Sequence, residues 1–83
     1  MGETKTIHVR YFAIYRDQVG CGQEHINTTV ATAGELFEQL QQRHCKLEKF
    51  VAAKLAINDD LADWDSPISN GDHVLFFPPV AGG

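Results

Sequence analysis

One segment with helical periodicity stands between two pairs of segments with strand periodicity, and that order limits the folds open to this chain more than any other feature. The helix is signalled by Thr32 and Glu35. A threonine hydroxyl can accept from the backbone N–H three residues on, while the glutamate carboxylate reaches back to the threonine N–H, satisfying two donors that a helix start leaves orphaned. Leu36, Phe37, Leu40 and His44 then recur on one face, with Glu35, Glu38, Gln39, Gln41, Gln42 and Arg43 mostly elsewhere. This spacing predicts a helix from Ala33 to Cys45 with one stripe packed on a sheet.

On the amino-terminal side, Thr6 to Ala13 alternates, with Ile7, Val9 and Tyr11 on one face and His8, Arg10 and Phe12 on the other, as in a half-buried strand. Ile14 to Val19 reads as a turn or short helix closed by Gly20 and Gly22, and Gln23 to Val30 as a second strand returning beside the first. On the carboxy-terminal side, Ala53 to Asn58 alternates with Leu55 and Ile57 turned inward, and Asn58-Asp59-Asp60 supplies a turn. Leu61 to Ser69 reads as an irregular crossover stopped by Pro67, and Asn70-Gly71-Asp72 as a tight turn before a last strand, His73 to Phe77. Pro78 and Pro79 end that strand because proline has no N–H for a ladder. Strand, strand, helix, strand, strand suits an α+β fold of the β-grasp type, a mixed sheet of about four to five strands with one main helix across one face.

A chain of 83 residues has room for one domain, expected over residues 1–77, with a flexible tail over 78–83. Eleven acidic against seven basic residues give a formal charge of −4, so the counterion release that drives nucleic-acid binding has little to work with. No apolar run approaches the roughly 20 residues that span a bilayer, and the amino terminus lacks the apolar core of a secretory signal; a soluble cytoplasmic protein is expected, with no nucleic-acid or membrane partner. Cys21 and Cys45 lie in no metal or redox spacing, which predicts reduced thiols, buried and structural by default. His8, His25, His44 and His73 fall on different elements without ligand spacing and read as structural. Asp59, Asp60, Asp63 and Asp65 lack the pattern of a calcium loop and read as a solvated crossover, so no metal site is expected.

The unusual feature is the end of the chain: a strand, two stiffening prolines, Val80 and Ala81, then Gly82 and Gly83. A frayed tail is one reading. The other is a working tip, since Pro78 to Gly83 can extend roughly 20 Å at about 3.3–3.6 Å per residue. Two glycines pass where no Cβ fits and leave a terminal carboxylate sterically open. A carboxylate is a poor electrophile, but adenylation turns it into a mixed anhydride with a good leaving group, so the domain itself needs no catalytic residue. If Val74 and Phe76 face inward, Leu75 and Phe77 face outward on the side of Phe12, making an apolar patch at the tail's root to which Leu61 contributes. A one-residue slip in alternation would bury them instead.

The run Phe76-Phe77-Pro78-Pro79-Val80-Ala81-Gly82-Gly83, preceded by Asn70-Gly71-Asp72-His73-Val74, resembles the carboxy-terminal signature of the ubiquitin-like sulfur carriers that serve as small subunits of molybdopterin synthase. Val9-Arg10-Tyr11-Phe12-Ala13, the capped helix, Ile57-Asn58 and Asp65-Ser66-Pro67-Ile68 follow in the family's order, so the resemblance covers nearly the whole chain. It implies that Gly83 is adenylated by an activating enzyme related to ubiquitin activators, at the expense of ATP, and becomes a thiocarboxylate with sulfur from a donor protein. It further implies that Pro78, Pro79, Val80, Ala81 and Gly82 enter the large subunit, where the sulfur attacks a cyclic pyranopterin monophosphate. Phe12, Leu61, Leu75 and Phe77 would form the contact surface, in a heterotetramer of two small and two large subunits. On this resemblance the chain binds no cofactor and donates sulfur without being catalytic. A carrier for thiamine thiazole synthesis would share the fold and Gly82-Gly83, though the Phe-Phe-Pro-Pro run argues against it, and a ubiquitin-like modifier or binding module would use the same face and tail. Asn70 and His73 depart from the family's commoner aspartate and glutamate.

Overall fold

Alternation in the first strand buries Ile7, Val9 and Tyr11 and turns His8 and Arg10 to the other side, so every later element has an apolar face to pack on or extend. The computed structural model describes residues 3–49 and 53–78, and its elements are β1 (Lys5–Tyr11), α1 (Ile14–Val19), β2 (Gln23–Thr28), α2 (Ala33–Arg43), β3 (Lys54–Ile57), β4 (Asp60–Ala62) and β5 (His73–Phe77). The strands form one mixed sheet in the order β2-β1-β5-β3-β4. β1 runs parallel to β5, and the remaining neighbours are antiparallel. This is the β-grasp arrangement, with α2 laid across one face and the other face open.

The predicted capping box is present. The Thr32 hydroxyl accepts from the Glu35 N–H at 3.2 Å and Glu35 Oε1 accepts from the Thr32 N–H at 3.2 Å. Two further N–H groups of the first turn donate to the loop before β5: Ala33 to the Ser66 carbonyl at 3.0 Å and Gly34 to the Trp64 carbonyl at 2.7 Å. Ala33, Leu36, Phe37 and Leu40 are the buried stripe. The core beneath them is aromatic at its centre, with the Phe37 ring 4.9 Å from Phe76, 5.3 Å from Trp64 and 5.7 Å from Tyr15.

Three expectations need correction. The stretch from Leu61 is not wholly irregular, because Asn58 and Asp59 both take positive φ (52° and 73°) and make a two-residue hairpin that sets Asp60–Ala62 against β3 as an edge strand. The helix stops at Arg43 rather than Cys45, since His44 is extended there and its ring turns inward to Glu24, with Nε2 2.7 Å from Oε2. Both cysteines are exposed and free rather than buried: Cys21 sits in the turn between Gly20 and Gly22, and Cys45 lies past the helix end, so neither is on an inward face.

Gly34 is required by close approach. A Cβ there would lie 3.0 Å from the Trp64 carbonyl oxygen, a backbone atom in the loop that α2 docks on. Helix propensity alone makes Gly→Ala stabilising by about 1 kcal/mol; Gly34→Ala is expected instead to lower the urea midpoint. A raised midpoint would show that the loop yields without cost.

Candidate functional site

β5 is the middle strand of the sheet, and the tail begins where it ends. Its Val74 and Phe76 are fully buried under α2, while β1 pairs with it from His8↔His73 to Tyr11↔Phe76 and β3 from Ile57↔Val74 to Lys54↔Phe77. Pairing on both edges fixes the position and direction of the last residue before the prolines. Alternation has not slipped: Leu75 and Phe77 stand half-buried on the open face, opposite the helix.

Phe12 follows β1 and is held to β5 by its N–H, which donates to the Phe76 carbonyl at 3.1 Å, while its ring is 60% exposed. Leu61 is 71% exposed at the far edge, reached across one row of the sheet, since Leu75 pairs with Ala56 and Ala56 with Leu61. By register Leu61, Leu75 and Phe77 share the open face, and Phe12 is exposed beside the end of β5. Ile14 is also exposed, at 46%, and was not anticipated. It opens a helix too short to show a period, and Ala13 between it and Phe12 adopts φ 55°, ψ −126°, a conformation suited to glycine that costs of order 1–3 kcal/mol elsewhere. Of the tail, Pro78 is half-buried at the end of β5. Pro79, Val80, Ala81, Gly82 and Gly83 lie outside the described residues.

Polar groups gather in two other places. On the helix side the Tyr11 hydroxyl donates to Glu24 Oε2 at 2.6 Å, His44 Nε2 lies 2.7 Å from the same oxygen, and Arg43 Nε is 3.6 Å from Glu24 Oε1. Burial, then the hydrogen bond and charge of Glu24, push the Tyr11 phenol above its ordinary range, so it stays protonated and acts as a pin between sheet and helix end. On the open face three histidines that sequence separates lie in one cross-strand row. His8 pairs with His25 on β2 and His73 on β5, with ring centroids 4.3 Å and 4.5 Å away. Partial burial, then the neighbouring His25 and His73, hold the His8 pKa below the usual histidine value. Among the described residues no group of three or more His, Cys, Asp or Glu side chains is arranged to hold a metal ion, and no helix is long and apolar enough to cross a membrane.

A buried root, an apolar open face beside it and a family model that matches residues 9–83, described as the ThiS family, together decide the lineage. The chain belongs to the ThiS family. A relative from Haemophilus influenzae named molybdopterin synthase sulfur carrier subunit is 39% identical over 93% of this chain and 99% of its own length. A solved structure from Pyrococcus furiosus, titled a putative molybdopterin converting factor subunit 1, superposes with a TM-score of 0.81 at 30% identity, covering 92% of this chain and 99% of that one. The complex of subunits 1 and 2 of the molybdopterin-converting factor from Helicobacter pylori contains a chain that matches with a TM-score of 0.60 at 26% identity, covering 94% of this ThiS-family chain and 99% of that one.

Within this member of the family, the two faces of the sheet should respond to mutation in opposite ways. Phe76→Ala removes a fully buried ring and is expected to cost about 3–5 kcal/mol of stability, whereas Leu61→Ser should stay within about 0.5 kcal/mol of the parent. Chemical denaturation of both variants checks this, and a large loss from Leu61→Ser would mean that its face is part of the core.

Proposed function

We propose that the chain is the sulfur-carrier subunit of a molybdopterin synthase and that its working group is the Gly83 carboxyl. The observation that carries this reading is the near end-to-end match with a relative of that name, 93% of this chain and 99% of the relative, beside a family match that runs to Gly83. The rigid root of the tail in β5 and the apolar open face beside it support the reading, because a carrier must present one end reproducibly to successive enzymes.

The chemistry belongs to those enzymes. A Gly83 carboxylate oxygen attacks the α-phosphorus of ATP in an activating enzyme, pyrophosphate leaves, and hydrosulfide supplied by a donor protein attacks the acyl carbon, displacing AMP and losing its proton to give the thiocarboxylate. ATP is thus consumed by the partner, and this chain holds no cofactor of its own. Pro78, Pro79, Val80, Ala81 and Gly82 then carry the sulfur into the large subunit, where it attacks a cyclic pyranopterin monophosphate, while Phe12, Leu61, Leu75 and Phe77 dock against the partner. Two sulfurs are needed for each dithiolene, which suits an assembly of two small and two large subunits in the cytoplasm.

Intact-protein mass spectrometry after incubation with the activating enzyme, ATP and sulfur donor tests this directly. Replacement of one oxygen by sulfur at Gly83 is the expected result. An unchanged mass, or attachment only through lysine amides as in a protein modifier, contradicts it. Separately, Phe77→Asp places a charge in the apolar contact surface and should weaken binding to the large subunit at least about ten-fold, as for a truncated interface anchor. Calorimetry reads the affinity, and unchanged binding would remove Phe77 from the interface.

A further inference from the structure

Charge on this molecule is segregated by face. The chain carries eleven acidic and seven basic residues, yet among the described residues no strand position on the open face bears a carboxylate. That face instead carries Arg10 and Lys54 together with the row His25–His8–His73. Beside the row lies a recess of about 470 Å³ lined by Arg10, His73, Leu75 and Ala56, with Asn58 and Asp59 at its end. The recess joins the histidine row to the apolar patch around Leu75.

We propose that the histidine row and Arg10 form a proton-dependent docking strip for an acidic segment of a partner protein. Two observations commit the strip to a carboxylate-bearing partner. The first is charge complementarity, since this face of an acidic protein lacks negative strand residues. The second is the stacking of the rings. His8 has a parallel ring on one side (8° between planes) and an edge-on ring on the other, so in the free protein a charge on either neighbour opposes protonation of His8. An anion laid along the row removes that opposition, and binding then takes up protons.

The groups around the row leave it this role. Thr6 and Arg10 flank His8 on β1, and Gln23 and Asn27 flank His25 on β2. Asp72 adjoins His73 in sequence, and Asp59 lines the recess beside the row. Asp72 is already engaged, its Oδ1 accepting from Asn58 Nδ2 at 3.0 Å and its Oδ2 from the Ser69 N–H at 2.7 Å. Asp59 sits in the β3–β4 turn and is the one carboxylate that lines the recess. Glu24 lies on the helix side, bound to Tyr11 and His44. The sign follows. Folding holds the proton affinity of His8 below its unfolded value, so acidification through the histidine range destabilises the free domain while strengthening its hold on an acidic partner.

The strip concerns the sheet face and not the tail, so it stands or falls apart from the sulfur-carrier reading. Its test is a titration of the full chain with a short polyglutamate peptide, followed by the histidine ring resonances at about pH 5.5 and about pH 8 in low salt. The expected result is binding about ten-fold tighter at the lower pH, with shifts centred on His8, His25, His73 and Arg10. His25→Asn and His73→Asn, both at exposed positions, should flatten the pH dependence without loss of fold. Equal affinity at both pH values, shifts confined to other surfaces, or binding of inorganic polyphosphate in preference to polyglutamate would overturn the proposal.

Discussion

The burial of β5 in the middle of the sheet is the constraint on which the rest depends. Its parallel ladder to β1 cannot be made by a tight turn and needs the long connection that α2 and the second hairpin supply. Once β5 is in place, Phe76 closes the aromatic cluster with Phe37 and Trp64, and the strand ends at Phe77 at a fixed point in the middle of the sheet. A strand at the edge would give no such fixed end. The same placement forces Leu75 and Phe77 outward, so the apolar patch at the root is a geometric companion of the buried Phe76.

Division of labour between the two faces follows from that. The helix side holds the core and the Tyr11–Glu24–His44 pin, and it accounts for stability. The open side has few internal obligations: Leu61 is exposed and Leu75 and Phe77 are half-buried, while at its margin Ala13, between the exposed Phe12 and Ile14, holds a backbone conformation poorly suited to its side chain. The arrangement is a rigid body with one face free of the core.

Much of this was legible in the sequence because it is local. The capping box at Thr32 and Glu35, the alternation through Ile7, Val9 and Tyr11, and the outward set of Leu75 and Phe77 each depend on residues a few positions apart. What the sequence hid was non-local or too short. β4 offers only Asp60, Leu61 and Ala62, and its signal was the positive φ of Asn58 and Asp59 rather than any periodicity. The histidine row exists only through register, since His8, His25 and His73 become neighbours once β1 lies between β2 and β5. The exposure of Cys21 and Cys45 came from turn geometry that overrides the usual burial of cysteine.

On the proposed function, the folded domain presents a tip which it does not need for its own stability. Shortening the chain by Gly83 and measuring, on the same sample, the thermal melt and the fraction loaded with sulfur addresses it most directly. An unchanged melting temperature and no loading are expected. A lowered melting temperature would make the tail part of the fold, and continued loading would place the acceptor group elsewhere.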